Sequence, residues 1–536
     1  MHPASITARR AAVTVGVLLT LGIVALHLEY HRSAGALWRD EVNSVNVASL
    51  PTAAEVYSHL HFDSFPPAWI GLVYAWRGAG LAGDDAGYRR LGLAVGLAMV
   101  AVVWWAGWQI GVGPPLVLLL LFGLSPSVIT YGDMVRGYGL AALAILWSAA
   151  ATWAFVQRPT WSRYAVAQIA AIVAAQTHFG NGLPLLGIGV GAAAVCWRRR
   201  NPRLLLATLG IGAIAAAVLF AVNYSILLYM MDTAQQEQHA AIPLGWILRV
   251  FAAGLAPNVP VLAAAWGLSA LVAAIGLATV LLWRGDKVDA DRAIFAIILL
   301  AVTLGGTFPA YMRTGVLTHY WHYLSLFALS ALACEIGIWV LARRWRYGAW
   351  ARVAGVAVAA LLTLPAVAAT VRVRMTSVDL AARAIEQAAQ PSDLVVVFPW
   401  VAGITFDRYY RGPAPWITLP DLADHRFHVH LLVREKMALG ERGVAAELAR
   451  VEQTLRQGGK VWVVGQPVAP DPNAPRPALG LPSDEGSAGR YLDHWEQQLG
   501  GLLENHARQG RRVELPDAVA VNGWENLPLF VVEGWR

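Results

Sequence analysis

The chain has 536 residues, is 57% hydrophobic and only 14% charged, and carries a formal net charge of +7. Its mean hydropathy of +0.50 excludes an ordinary soluble enzyme: apolar runs of about 17–25 residues, each long enough to span a bilayer as a helix, recur down to about position 370. The positive charge does not indicate a nucleic-acid partner, because the basic residues sit in short clusters between apolar runs, the positive-inside pattern of membrane proteins. The two cysteines, Cys196 and Cys334, lie in apolar segments, which argues against a disulfide framework or a cysteine metal site.

Arg9 and Arg10 precede an apolar stretch over 11–28. The residues that follow, Leu28-Glu29-Tyr30-His31-Arg32, hold no small-x-small cleavage site, so the stretch reads as an uncleaved first span. Further spans are expected over about 90–110, 115–132, 138–157, 164–177, 182–197, 204–229, 260–283, 292–311, 320–342 and 350–371, about eleven in all. An odd number puts the N-terminus inside and the C-terminus outside. Arg158/Arg163, Arg198–Arg200 with Arg203, Arg284/Lys287/Arg292 and Arg343-Arg344 with Arg346 then mark inner loops. Residues 67–76 are apolar but short and interrupted by Arg77; they read as a helix lying in the interface, within a first outer loop over 29–89. The membrane module is expected over 1–375 and a small extracytoplasmic α/β domain over 376–536. In that domain a helix signal at 381–390 precedes an apolar strand at 393–398, and a second at 442–457 precedes another at 460–465, a helix-then-strand alternation. Residues 466–486, rich in Pro, Asp and Gly, read as a loop. No glycine-rich phosphate motif follows the strand ending at Gly465.

This topology gathers polar residues at outer span ends. Asp40-Glu41 is an adjacent acidic pair just past the first span; a carboxylate there can act as a general base, or the pair can start and cap a helix. Asp63 precedes Pro66-Pro67 and supports either a substrate or the helix that the prolines begin. Asp133 and Arg136 lie three apart before Tyr138: they pair with each other, or Arg136 holds a phosphate. His178 closes another span, and Arg313, His319 and Tyr320 crowd a late one, which reads as an aromatic belt or a phosphate-binding mouth. Carboxylates for a base and cations for an anionic leaving group suit transfer from a lipid-linked phosphosugar.

The order of these motifs resembles the bacterial relatives of the protein O-mannosyltransferases and the aminoarabinose lipid A transferases, glycosyltransferases of the GT-C fold. The resemblance rests on Asp40-Glu41 after span one, Pro66-Pro67 opening a juxtamembrane helix, Arg89 or Arg90 opening the next span, Leu124-Ser125-Pro126 with Tyr131 and Arg136-Gly137-Tyr138-Gly139-Leu140, and Thr177-His178-Phe179. It implies transfer of a sugar from a polyprenyl-phosphate donor to a lipid, glycan or protein acceptor on the outer face of the bacterial inner membrane. It also implies Asp40 as catalytic carboxylate, Glu41 as its neighbour and Asp133 as a second acid. Arg136, Tyr138, His178, Arg313, His319, Tyr320 and Asp63 are the expected substrate-binding residues. No metal ligands are assigned, and a divalent cation stays open as a cofactor. The alternative class is a multi-pass transporter or lipid flippase, also suited by many spans and charges at the membrane edge; no internal repeat is visible, and the polar residues sit at one face.

Overall fold

The computed structural model describes residues 3–63, 65–236, 241–282, 286–315, 317–470, 479–480, 485–516 and 519–536. The chain divides into two compact units, one of Met1–Arg32, Phe65–Leu227 and Ala241–Arg372, the other of Ser33–Ser64, Leu228–Ala240 and Val373–Arg536.

The first unit is helical. Among the described residues, 9 helices are long and apolar enough to cross a membrane: Ile6–Ser33, Asp85–Ile110, Tyr138–Gln157, Phe179–Arg198, Pro202–Tyr229, Pro260–Leu282, Lys287–Thr314, Tyr320–Ala342 and Gly348–Val371. The chain is a multi-pass membrane protein. Two of the eleven expected spans take other forms. Residues 164–177 fall in a helix of 17 residues, Trp161–Thr177, at the short limit for crossing. Residues 115–132 are not one helix. A single turn at Leu116–Leu118 passes into a π-helical stretch, Leu119–Gly123, and a new helix starts at Pro126. Pro126 has no amide hydrogen to continue a ladder, and Ser125 before it is extended. The broken segment is held by Glu335, fully buried in a neighbouring helix, whose Oε2 accepts the amide hydrogens of Val117 and Leu118 at 2.7 and 3.0 Å. Arg352 pairs with the same carboxylate.

The basic clusters meet at one end of this unit. Asp291 accepts from Arg198 and Arg199, each at 2.6 Å, while Asp289 pairs with Arg292 at 2.8 Å and Arg343 at 3.2 Å. Arg292 also donates to Ile110 O and Arg199 to Val156 O, which brings the ends of the Asp85–Ile110 and Tyr138–Gln157 helices to the same place. Arg284 lies outside the described residues. Alternation of helix direction then carries Asp133, Tyr138, His178 and Tyr320 to the opposite end.

The second unit is α/β, as its helix-then-strand alternation leads one to expect. Strands β1 (Val373–Arg374), β2 (Leu394–Val397), β3 (Trp416–Thr418), β4 (Val461–Val464), β5 (Ala507–Val513), β6 (Ala520–Val521) and β7 (Leu529–Trp535) form two sheets. β1 pairs with β6, and the larger sheet runs β3-β2-β4-β7-β5. β2 is parallel to β3 and β4, while β7 is antiparallel to β4 and β5. The runs LVVV and VWVV of β2 and β4 are buried throughout, as central strands covered on both faces require. The helices Val378–Ala388 and Ala445–Arg456 precede them. The expected loop over 466–486 falls largely outside the described residues. The segment 33–63, between the first span and the juxtamembrane helix Pro67–Gly78, folds with this unit: Met375 N–H donates to Ala34 O at 2.9 Å, and Leu37 N–H to the Tyr409 hydroxyl at 2.7 Å.

Candidate active site

Each unit holds one cluster of the candidate residues. In the α/β unit, Asp40 and Glu41 open the helix Arg39–Ala48. Their roles separate at once. Glu41 is fully buried, and its Oε2 accepts the Trp38 amide hydrogen at 3.2 Å, reaching back to the residue before the helix as in half a capping box. Asp63 is buried too. Its Oδ1 accepts from Asn43 Nδ2 at 3.0 Å and Ser44 Oγ at 2.9 Å, tying its 3₁₀ turn to the acidic helix. Asp40 keeps a side chain 19% exposed, with Arg39 Nε and His428 Nε2 each 3.5 Å from its Oδ1. Of these three acids, Asp40 is the one that keeps partial exposure.

A fourth carboxyl belongs to this cluster. Glu525 is buried and its Oε1 accepts the Thr405 hydroxyl hydrogen at 2.9 Å. Burial pushes its pKa up to about 7; the Arg39 charge and hydrogen bonds from Thr376 and Thr405 oppose the rise, and Asp40 adds to it. Nothing in the local sequence Gly523-Trp524-Glu525-Asn526 distinguishes it from a surface glutamate.

In the helical unit, Asp133 is buried with its Oδ2 2.8 Å from His27 Nδ1. Two glycines make room for it. A Cβ on Gly96 would lie 1.9 Å from Asp133 Oδ1, and one on Gly92 1.8 Å from Asp133 O. Asp133 is thus paired with a residue of the first span rather than with Arg136. The Arg136 guanidinium lies 4.7 Å from the centre of the Phe65 ring and 6.0 Å from that of Tyr138, within cation–π range. Phe65 and Tyr138 both face His178, at 5.4 and 5.7 Å between ring centres. Tyr138 further contacts Trp321 and His322, and Trp321 contacts His319 at 4.7 Å. Arg136, Tyr138, His178 and His319 are therefore joined through a continuous set of rings. Tyr320 packs at the Gly254 surface instead. Arg313 is exposed in the last turn of the Lys287–Thr314 helix, and no ion pair or ring contact joins it to the set among the described residues.

Sequence reasoning passed over His27, His428 and Glu525. An imidazole inside an apolar span was a signal for the first, since intramembrane ionisable groups are rarely idle. The histidine-rich run Asp424-His-Arg-Phe-His-Val-His430 was one for the second. No group of three or more His, Cys, Asp or Glu side chains that could hold a metal ion occurs among the described residues.

No family model matches the chain, and no curated protein matches it. Among solved structures it is similar to ArnT from Cupriavidus metallidurans bound to undecaprenyl phosphate, at 14% identity and a TM-score of 0.47, over 84% of this chain and 93% of that one. It is also similar to the Archaeoglobus fulgidus oligosaccharyltransferase in complex with Zn and sulfate, at 11% identity and a TM-score of 0.48, over 84% of this chain and 68% of that one. These neighbours are GT-C glycosyltransferases, the fold class that the motif order led us to expect.

Proposed function

We propose that the chain is a membrane glycosyltransferase that moves a sugar from a polyprenyl-phosphate donor to a lipid, glycan or protein acceptor at the outer face of the bacterial inner membrane. The carrying observation is the division of labour among the acids: Glu41 caps a helix and Asp63 ties a turn, while Asp40 keeps solvent access beside Arg39 and the His428 imidazole. Asp40 takes the proton of the acceptor hydroxyl as that oxygen attacks the anomeric carbon. The bond from that carbon to the donor phosphate breaks, and the lipid phosphate leaves as an anion that needs no strong acid. Arg136, His178 and His319, with Tyr138 among them, supply the anion-binding side, and Arg313 and Tyr320 are further contacts for the donor. Asp133, paired with His27, lies in the same unit as this set. Fixed charge aimed at the departing phosphate, here that of Arg136, is the larger contribution to rate. The first helix starts inside and the α/β unit lies outside in this reading.

Full-length protein in detergent, with a radiolabelled panel of polyprenyl-phosphate hexoses and pentoses and membrane extract as acceptor source, tests the proposal. Transfer is expected, and Asp40→Asn should lower it by about 100- to 10,000-fold, the range of a lost general base, while membrane insertion is unchanged. Near-normal transfer by that variant sinks the assignment. Movement of the donor across a vesicle membrane without transfer would instead establish a transporter.

A further inference from the structure

The loop over 424–430 of the α/β unit is fastened to the acidic helix at several independent points. Asn46 Nδ2 donates to Arg426 O at 2.8 Å. The His428 amide hydrogen goes to Asn43 Oδ1 at 3.0 Å, and the same Asn43 donates through Nδ2 to Asp63 Oδ1 and Phe62 O, each at 3.0 Å. Phe427, buried, stacks on Phe62 with ring centres 5.3 Å apart and 9° between planes, and contacts His59 at 5.6 Å. Within the loop, Asp424 accepts from the Arg426 amide and guanidinium, each at 2.8 Å. These ties fix the backbone on both sides of His428 and carry its imidazole to the Asp40 carboxylate, Nε2 to Oδ1 3.5 Å, with 14% of the side chain exposed. The distance is that of an ion pair, longer than a hydrogen bond.

We infer that His428 is a positioning residue for Asp40: the docked loop holds the imidazole against the carboxylate so that the base stays oriented and ionised for proton transfer. The inference rests on the reading of Asp40 as the base. Among the described residues, charged and titratable groups around Asp40 include Arg39 and Glu41 on its own helix, His428 from the docked loop, and Glu525, whose charge acts on Asp40 from the segment before β7. His430 lies beyond His428, with ring centres 6.1 Å apart. Of these groups, Glu525 is the one that burial pushes up to about 7, and the imidazole is what the docked loop adds beside Asp40.

The test uses full-length protein and whichever donor of the panel wild type turns over. His428→Ala should lower kcat by about 10- to 100-fold, the loss that goes with a slightly misplaced catalytic group, with the donor KM within about 2-fold of wild type. His428→Gln, which keeps a polar group at the site but cannot titrate, should recover part of kcat and show a flatter pH profile of kcat over about pH 5.5–7.5, where an imidazole changes charge. Protease resistance of the loop in both variants separates loss of docking from loss of the imidazole. Wild-type kcat and pH profile in both variants, alongside an inactive Asp40→Asn, overturn the role of His428 and leave the proposed function standing. A raised KM with unchanged kcat also overturns it. An active Asp40→Asn overturns the reading of Asp40 itself, and this inference with it.

Discussion

Adjacent carboxylates acquire different tasks because a helix start treats neighbouring positions differently. Glu41 stands where a side chain reaches back to the amide before the helix, whereas Asp40, one residue earlier, lies beside Arg39 and His428. The acidic pair was legible in the sequence, but the division between its members was not, since capping depends on where the helix begins. Glu525 shows the opposite case, a carboxyl that nothing local singles out and that burial, more than any neighbour, makes unusual. Its folded pKa of about 7 lies above the ordinary 4.5, so between those values the folded state holds a proton that the unfolded chain gives up. Stability from this group is fully present below about pH 4.5 and is lost as pH rises toward about 7. Glu525→Gln, which keeps an acceptor for Thr405, should flatten the fall in apparent Tm across that window, as followed by intrinsic tryptophan fluorescence. An unchanged slope would show that the carboxyl does not titrate there.

Helix by helix, hydrophobicity located the long spans well, because length and apolar content are what a bilayer demands of each segment separately. It misread 115–132, where an apolar run hides a break: Pro126 ends one ladder and begins another, and a carboxylate from a distant helix satisfies the amides at its start. Glycine placement is also decided between elements. Gly92 and Gly96 sit where the 133 segment presses on the Asp85–Ile110 helix, whereas a Cβ on Gly189 would meet nothing within 4 Å. Gly96→Ala and Gly92→Ala should each lower thermal stability by about 1–3 kcal/mol, the usual cost of overpacking, and weaken the His27–Asp133 pair. Gly189→Ala should be neutral or slightly stabilising, since alanine favours a helix where space permits. Equal effects at all three positions would contradict the close approach.

For the molecule as a whole, the basic clusters of separate loops are drawn together on Asp289 and Asp291, so these charges tie helix ends together. A phosphatase that is active only outside the cytoplasm should be active when fused after Arg536 and inactive when fused at the Arg343-Arg344 turn; the reverse pattern would invert the proposed orientation. The sequence by itself determined that this chain enters a membrane many times, that an α/β unit follows, and which polar residues stand at the ends of spans. Those properties follow from hydrophobic content and period, which each segment carries alone. Only the tertiary structure decided that 33–63 folds with the α/β unit, that Asp133 pairs with His27, that Arg136 lies among rings, and that His428 meets Asp40. Each is a contact between residues far apart in the chain, set by packing and hydrogen bonding that no local pattern records.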